Sequence, residues 1–212
     1  MDIFWYGQST FKVKGKQATV IFDPFDPIKL GIKLPKDLTG DMVLQSHDHY
    51  DHNNLSASGD AVKITGPGEY EVKGVIASGV PTFHDSQKGA ERGKNTVYNV
   101  EIDGVRIVHL GDLGHTLEEK QIEDIGTVDV LLIPVGGVFT IDAKDAARVV
   151  SQLEPKIVIP MHYMTPGLTV ELNPLENFLK EMSLDTVEPL PKLSITKDKL
   201  PDEMQVVVLS KA

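Results

Sequence analysis

The stretch SHDHYDH, from Ser46 to His52, gathers three of the chain's seven histidines and two aspartates into one short loop. It follows Met42-Val43-Leu44-Gln45, which reads as a buried strand. A strand ending in such a loop delivers imidazoles and carboxylates to a sheet edge, so the fold must leave that edge open to a site. In an extended backbone, residues two apart project to the same side, and His47, His49 and Asp51 could converge there. His52 would need a turn to reach a second point nearby. Imidazole and carboxylate together suit Zn²⁺, Mn²⁺ or Fe²⁺. The competing explanation is a polar surface loop, but four potential ligands at this spacing, directly after a strand, weigh against it.

Other potential ligands also fall at the ends of apolar runs. GVPTFHD places His84 after an alternating segment, RIVHLGD puts Asp112 just past a strand with Gly111 allowing a tight turn, and IVIPMHY ends at His162. A strand-terminal histidine alone is more often structural, and Gly-Asp is a common turn; their order along the chain is what informs. The chain contains no cysteine, so any metal must be held by nitrogen and oxygen.

The 212 residues are expected to form a single domain over 1–212, long enough to bury a core. A net charge of −10 argues against an extended nucleic-acid ligand, which needs a basic footprint. No window reaches the length of a membrane span, and the opening MDIFWYGQST lacks a basic, apolar leader pattern, so a cytoplasmic protein is expected. TFKVKG alternates as a half-buried strand, ATVIFDPF reads as a buried strand ended by Asp23-Pro24, and YNVEIDGVRIVHL reads as a hairpin around Asp103-Gly104. VDVLLIPV and KIVIPMHY suit interior strands. Thr116 with Glu119 predicts a capping box opening a helix over about residues 117–124; Asp142 predicts another cap, and Asn173 with Pro174 at the first helical position a third. Strands first, then strands alternating with helices, favour a layered α/β architecture.

With these residues in place, the chain resembles the metallo-β-lactamase-fold hydrolases: His-x-His-x-Asp-His, a later His, Gly-Asp after a strand, and a further His towards the C-terminus. FWYGQSTFKVKG, VIFDPF, HLGDLGH and IPMHY are similar to the branch containing ascorbate-6-phosphate lactonase and many uncharacterised metal-dependent hydrolases. The resemblance covers nearly the whole chain. It implies an αββα sandwich of two mixed β-sheets flanked by helices, with a dinuclear site at the sheet edges. His47, His49 and His84 would hold one divalent metal; Asp51, His52 and His162 would hold the other, and Asp112 would bridge them. Zn²⁺ is the expected ion, with Mn²⁺ and Fe²⁺ as alternatives. One departure stands out: the branch often has His where this chain has Gln8.

The implied activity is hydrolysis of a small, anionic metabolite, a lactone or ester of sugar-phosphate type, by a metal-bridging hydroxide. Two divalent ions against Asp51, Asp112 and a hydroxide leave the metal-binding cluster net positive by one, which would draw in a polarised or anionic oxygen. Asp51 could orient the nucleophile. His115 could donate a proton to the leaving group; an exposed helix-start residue is the equal alternative. Asp23 could brace a ligand histidine or serve as turn chemistry. His109 and Tyr163 read as core residues, and Lys88, Arg92 and Lys94 as a solvated loop that could otherwise meet a phosphate. A phosphodiesterase is the nearest enzymatic rival, and a metal-binding protein without turnover the non-enzymatic one; a missing ligand would be the sign of the latter, and none of the seven is missing. The expected partner is a small-molecule substrate, with no nucleic acid or membrane, and homo-oligomerisation is open.

Overall fold

Two mixed β-sheets face each other in a computed structural model that describes residues 1–36 and 38–212. The first sheet is built from β1 (Asp2–Gly7), β2 (Thr10–Lys14), β3 (Thr19–Phe22), β4 (Met42–Leu44) and β5 (Val62–Ile64), running antiparallel to β3 and parallel beyond it. The second contains β6 (Gly68–Val72), β7 (Val75–Phe83), β8 (Lys94–Ile102), β9 (Val105–His109), β10 (Val130–Pro134) and β11 (Ile157–Met161). Its β6–β9 half is an antiparallel meander, and β9, β10 and β11 run parallel. Two-residue strands close one edge of each sheet: β12 (Leu193–Ser194) beside β1, and β13 (Gln205–Val206) beside β11.

Alternation explains the first sheet. Ile3 and Trp5 of β1 and Phe11 and Val13 of β2 are buried, whereas Lys12 is half-buried and Lys14 exposed. Between the sheets, these side chains join Val100, Ile107 and Leu131 in one apolar core. β10 and β11 are buried along their whole length because α3 (Ala143–Leu153) covers them with Ala146, Val149, Val150 and Leu153. The β8–β9 turn is the expected Asp103-Gly104 pair, with φ of +53° and +77°, the paired left-handed conformation of a two-residue hairpin.

Helices flank the sheets: α1 (Pro27–Leu30), α2 (Glu119–Ile125), α3 and α4 (Leu175–Glu181). Asp142 caps α3 as expected, its side chain accepting from the Asp145 N–H. The other two starts are corrected. In α2 the capping box is made by Glu118 and Gln121, not by Thr116 and Glu119. Gln152 grips both backbone groups of Leu117 at 3.2 and 2.9 Å, holding that residue as a lead-in, so the helix begins later. Pro174, rather than Asn173, is the cap of α4. Asn173 is tied by its backbone to Gly136 and Met164, which keeps it outside the helix.

The architecture positions a site. β3 and β4 of one sheet and β7, β9 and β11 of the other end at residues 22, 44, 83, 109 and 161. The segments that follow carry Asp23, the His47–His52 loop, His84, Asp112 and His162.

Candidate metal centre

The loop after β4 is not extended through its length. The His52 N–H donates to the His49 carbonyl at 2.9 Å, closing a turn. That turn changes the partition expected from simple alternation: Asp51 leaves the side of His47 and His49 and joins His52. The ligand-type atoms fall into two groups, His47–His49–His84 and Asp51–His52–Asp112–His162, each with atoms within 4.8 Å of one another. The first group is the histidine triad that the resemblance implied, and the second gathers Asp51, His52 and His162 with Asp112.

Asp112 ties the groups together. Its Oδ1 is 3.2 Å from His52 Nε2, and its Oδ2 is 3.3 Å from both His162 Nε2 and His84 Nε2. Asp51 Oδ2 stands 3.5 Å from His52 Nε2 and 3.7 Å from His162 Nε2. Ligand atoms held 2.0–2.2 Å from one tetrahedral cation are about 3.3–3.6 Å apart, so these spacings suit metal ligation. His52 Nε2 and Asp112 Oδ1 are buried, and neither has a hydrogen-bond partner. Orphaned polar atoms of this kind are costly unless something else satisfies them, and a cation would. The chemistry of the donors and their geometry therefore fit divalent metal binding.

Groups behind the cluster set the orientation of its rings. Asp23 Oδ2 accepts from His52 Nδ1 at 2.8 Å, which leaves the His52 Nε2 lone pair facing Asp112. The same carboxylate accepts from the Ser46 N–H and Ser46 Oγ, each at 2.6 Å. Ser46 Oγ in turn lies 3.0 Å from His47 Nδ1, so Asp23 steers two imidazoles from one position. The Asp112 N–H donates to Asn95 Oδ1 at 3.0 Å, and the Asn95 amide is anchored to Thr82 and Leu110. Gly111 (φ +57°) passes so close to Ser46 and the Asn95 side chain that a Cβ would overlap both. Gln8, Asp23 and His162 themselves occupy left-handed backbone at +50°, +43° and +52°, a conformation costing non-glycine residues about 1–3 kcal/mol and concentrated at functional sites.

Electrostatics favour a cation. Burial opposes charge on His52, yet Asp112, Asp51 and Asp23 hold its pKa well above the ordinary value. Burial likewise opposes charge on His162, but Asp112 and Asp51 lift its pKa to about 9. Asp112 is well below the carboxylate range despite burial, because His162 and His52 face it. His47 is pushed down to about 3 by burial and by its neighbour His52. Carboxylates that draw protons onto buried imidazoles would draw a divalent ion to the same lone pairs.

A cavity of about 250 Å³ opens over the cluster, with His49, Asp51, His84 and His162 at its floor. Gln8, Tyr50, Arg92, Phe139 and Val170 form its walls. Gln8 Nε2 donates to Asp51 Oδ2 at 3.2 Å, so the residue that departs from the branch pattern touches a candidate ligand. Lys88 and Lys94 do not line the cavity, but Arg92 of the same segment does. His115 is not brought to it either: its Nε2 accepts from the Phe83 N–H at 3.2 Å, and its Nδ1 donates to the Thr116 carbonyl at 2.7 Å. His109 is a core residue, stacked on Phe22 and bonded to Ser9 and Gly111. Tyr163 packs on Trp5. Sequence reasoning missed Ser46 and Asn95, whose polar side chains carry no pattern of their own, and Tyr50 and Phe139, which read as ordinary aromatics.

Comparison with known proteins gives a consistent picture. The beta-lactamase superfamily domain matches residues 2–162. A UPF0173 metal-dependent hydrolase of Thermococcus onnurineus is 32% identical over 199 residues, covering 78% of this chain and 85% of the relative. Another, of Methanopyrus kandleri, is 29% identical over 221 residues, covering 87% and 94%. A candidate Zn-dependent hydrolase of the metallo-beta-lactamase superfamily from Thermotoga maritima has a crystal structure that superposes with a TM-score of 0.80. Its identity is 39%, and the match covers 98% of this chain and 97% of that one.

Proposed function

The chain belongs to the beta-lactamase superfamily and is a metal-dependent hydrolase, and we propose that it works with two divalent ions on a small anionic ester or lactone of sugar-phosphate type. The observation that carries this reading is the reach of Asp112, whose carboxylate lies within 3.3 Å of histidines from both groups. His47, His49 and His84 would hold one ion, and Asp51, His52 and His162 the other, with Asp112 shared. Zn²⁺ is the ion we assign, supported by the Zn-dependent description of the Thermotoga maritima protein and compatible with the nitrogen and oxygen donor set.

Divalent ions bound there would supply Lewis acidity and would acidify a water towards neutral pH, from 15.7 to roughly 7. The protein's own groups do the rest. Asp51, half-buried and held ionised by His52 and His162, offers a carboxylate that orients the attacking water by accepting its hydrogen bond. Gln8 steadies that carboxylate by donating to its Oδ2, the oxygen that also faces His52 and His162. Phe139, Tyr50 and Val170 give the cavity an apolar rim, and its volume suits a small molecule. Both nitrogens of His115 are engaged by backbone, so no proton transfer is assigned to it.

Proton release by metal-loaded protein, with apo protein as the blank, tests the reading against sugar-phosphate lactones, phosphodiesters and acyl esters. Metal-dependent turnover of lactones or acyl esters is expected. Turnover confined to phosphodiesters would replace the substrate class, and turnover equal in apo protein would overturn the role of the metals.

A further inference from the structure

Arg92 is the one lysine or arginine among the described residues lining the cavity over the candidate metal centre. Its placement is built rather than incidental. The carboxylate of Asp85, which directly follows His84, accepts four backbone N–H groups from the next turn of chain. These are Gln87 and Gly89 at 2.8 Å, Glu91 at 3.0 Å, and Arg92 itself at 2.7 Å. The segment is thereby wound around one buried anchor, and its last bond fixes the backbone of Arg92. Opposite, Phe139 presents its ring to the guanidinium, with 5.8 Å between Cζ and the ring centroid. Among the described residues, the acid paired with the guanidinium is Glu91, at 3.5 Å and itself exposed, a surface pair that water and a ligand readily displace.

Charge gives this cation a purpose. Two divalent ions would bring four positive charges, but Asp51, Asp112 and the buried Asp23 bring three negative ones. An ionised nucleophilic water would cancel the remainder, so once Asp23 is included the centre no longer attracts an anion by net charge. The chain as a whole carries −10. A planar, permanently charged fork at the cavity wall is then the group that can hold an oxyanion by paired hydrogen bonds.

We infer that Arg92, seated against Phe139, is a specificity-determining residue that binds a carboxylate or phosphate group of the substrate, away from the bond that is cleaved. This rests on the hydrolase reading above for the identity of the cavity as a substrate site. It also makes Arg92→Gln a change in selectivity, because the side chain is set outside the Asp112 cluster.

Two measurements on metal-loaded protein decide it. The first is calorimetric titration with succinate against succinamide, and with glycerol 3-phosphate against glycerol. Wild type is expected to prefer at least one anion over its neutral partner, and Arg92→Gln to weaken that anion's binding roughly ten- to a hundredfold. Arg92→Lys should recover part of the loss, and Lys94→Gln, the same charge change outside the cavity, should leave the affinity unaltered. The favoured anion identifies the source, carboxylate or phosphate. The second is the kcat/KM ratio of mono-(4-nitrophenyl) succinate to 4-nitrophenyl acetate, which should fall in Arg92→Gln through KM. Equal anion binding in wild type and Arg92→Gln, or an equal loss in Lys94→Gln, would overturn the inference. Absence of ester turnover in wild type would count against the hydrolase reading alone, since the titrations decide Arg92 without it.

Discussion

Asp23 Oδ2 lies 2.8 Å from His52 Nδ1, joining the end of one strand to a loop residue 29 positions later. The same carboxylate reaches His47 through Ser46. One buried acid thus sets ring orientation in both candidate ligand groups. Burial opposes its charge, but His52, His109 and His47 hold its pKa below the ordinary value.

Replacing Asp23 by Asn should therefore reduce metal affinity at both positions, by about 10–100-fold, the usual cost of losing a partner behind a ligand. Chelator competition with loaded protein measures this. Circular dichroism of the loaded variant checks that the fold is kept, and unchanged affinity would remove Asp23 from the account.

Gly111 lets the chain turn at φ +57° against Ser46 and Asn95. Gly111→Ala should destabilise the protein by at least about 1–2 kcal/mol from left-handed backbone alone, with steric overlap adding to it. A lower melting temperature together with weaker metal binding is expected, because Asp112 follows directly.

Much of this site is legible in the amino-acid sequence alone. The His47–His52 loop, His84, Asp112 and His162 each follow an apolar run, and strand ends are where sheets open. The hairpin at Asp103-Gly104 is legible for a local reason: both residues tolerate positive φ. What the sequence hides is set by distant partners. Asp23-Pro24 reads equally as a turn, and only folding places it behind His52. The starts of α2 and α4 shift because Gln152 and Gly136 capture backbone groups that local capping rules leave free. β12 and β13 are two residues each, too short for any period. Arg92 reads as part of a solvated loop, since neither Asp85's four bonds nor Phe139 is adjacent in pattern.

The Asp85 anchor carries a pH signature. Burial raises its pKa, but four backbone donors outweigh that and lower it from 3.8 to about 2. A carboxylate depressed in the folded state stabilises fully above its unfolded pKa and loses that contribution as the pH falls through its folded one. The window is thus from about pH 4 down to about pH 2. Wild type should lose melting temperature more steeply than Asp85→Asn across this window. Amide exchange at Gln87, Gly89, Glu91 and Arg92 should be faster in the variant at neutral pH; parallel acid limbs would contradict the anchor.

The proposed chemistry needs two ions shared through Asp112, and elemental analysis counts them. Protein reconstituted with Zn²⁺ and freed of excess should carry two ions per chain. His49→Ala should lower that to about one, and Asp112→Ala should lower retention at both positions. A wild-type value of one or none, or full retention in Asp112→Ala, would contradict the account.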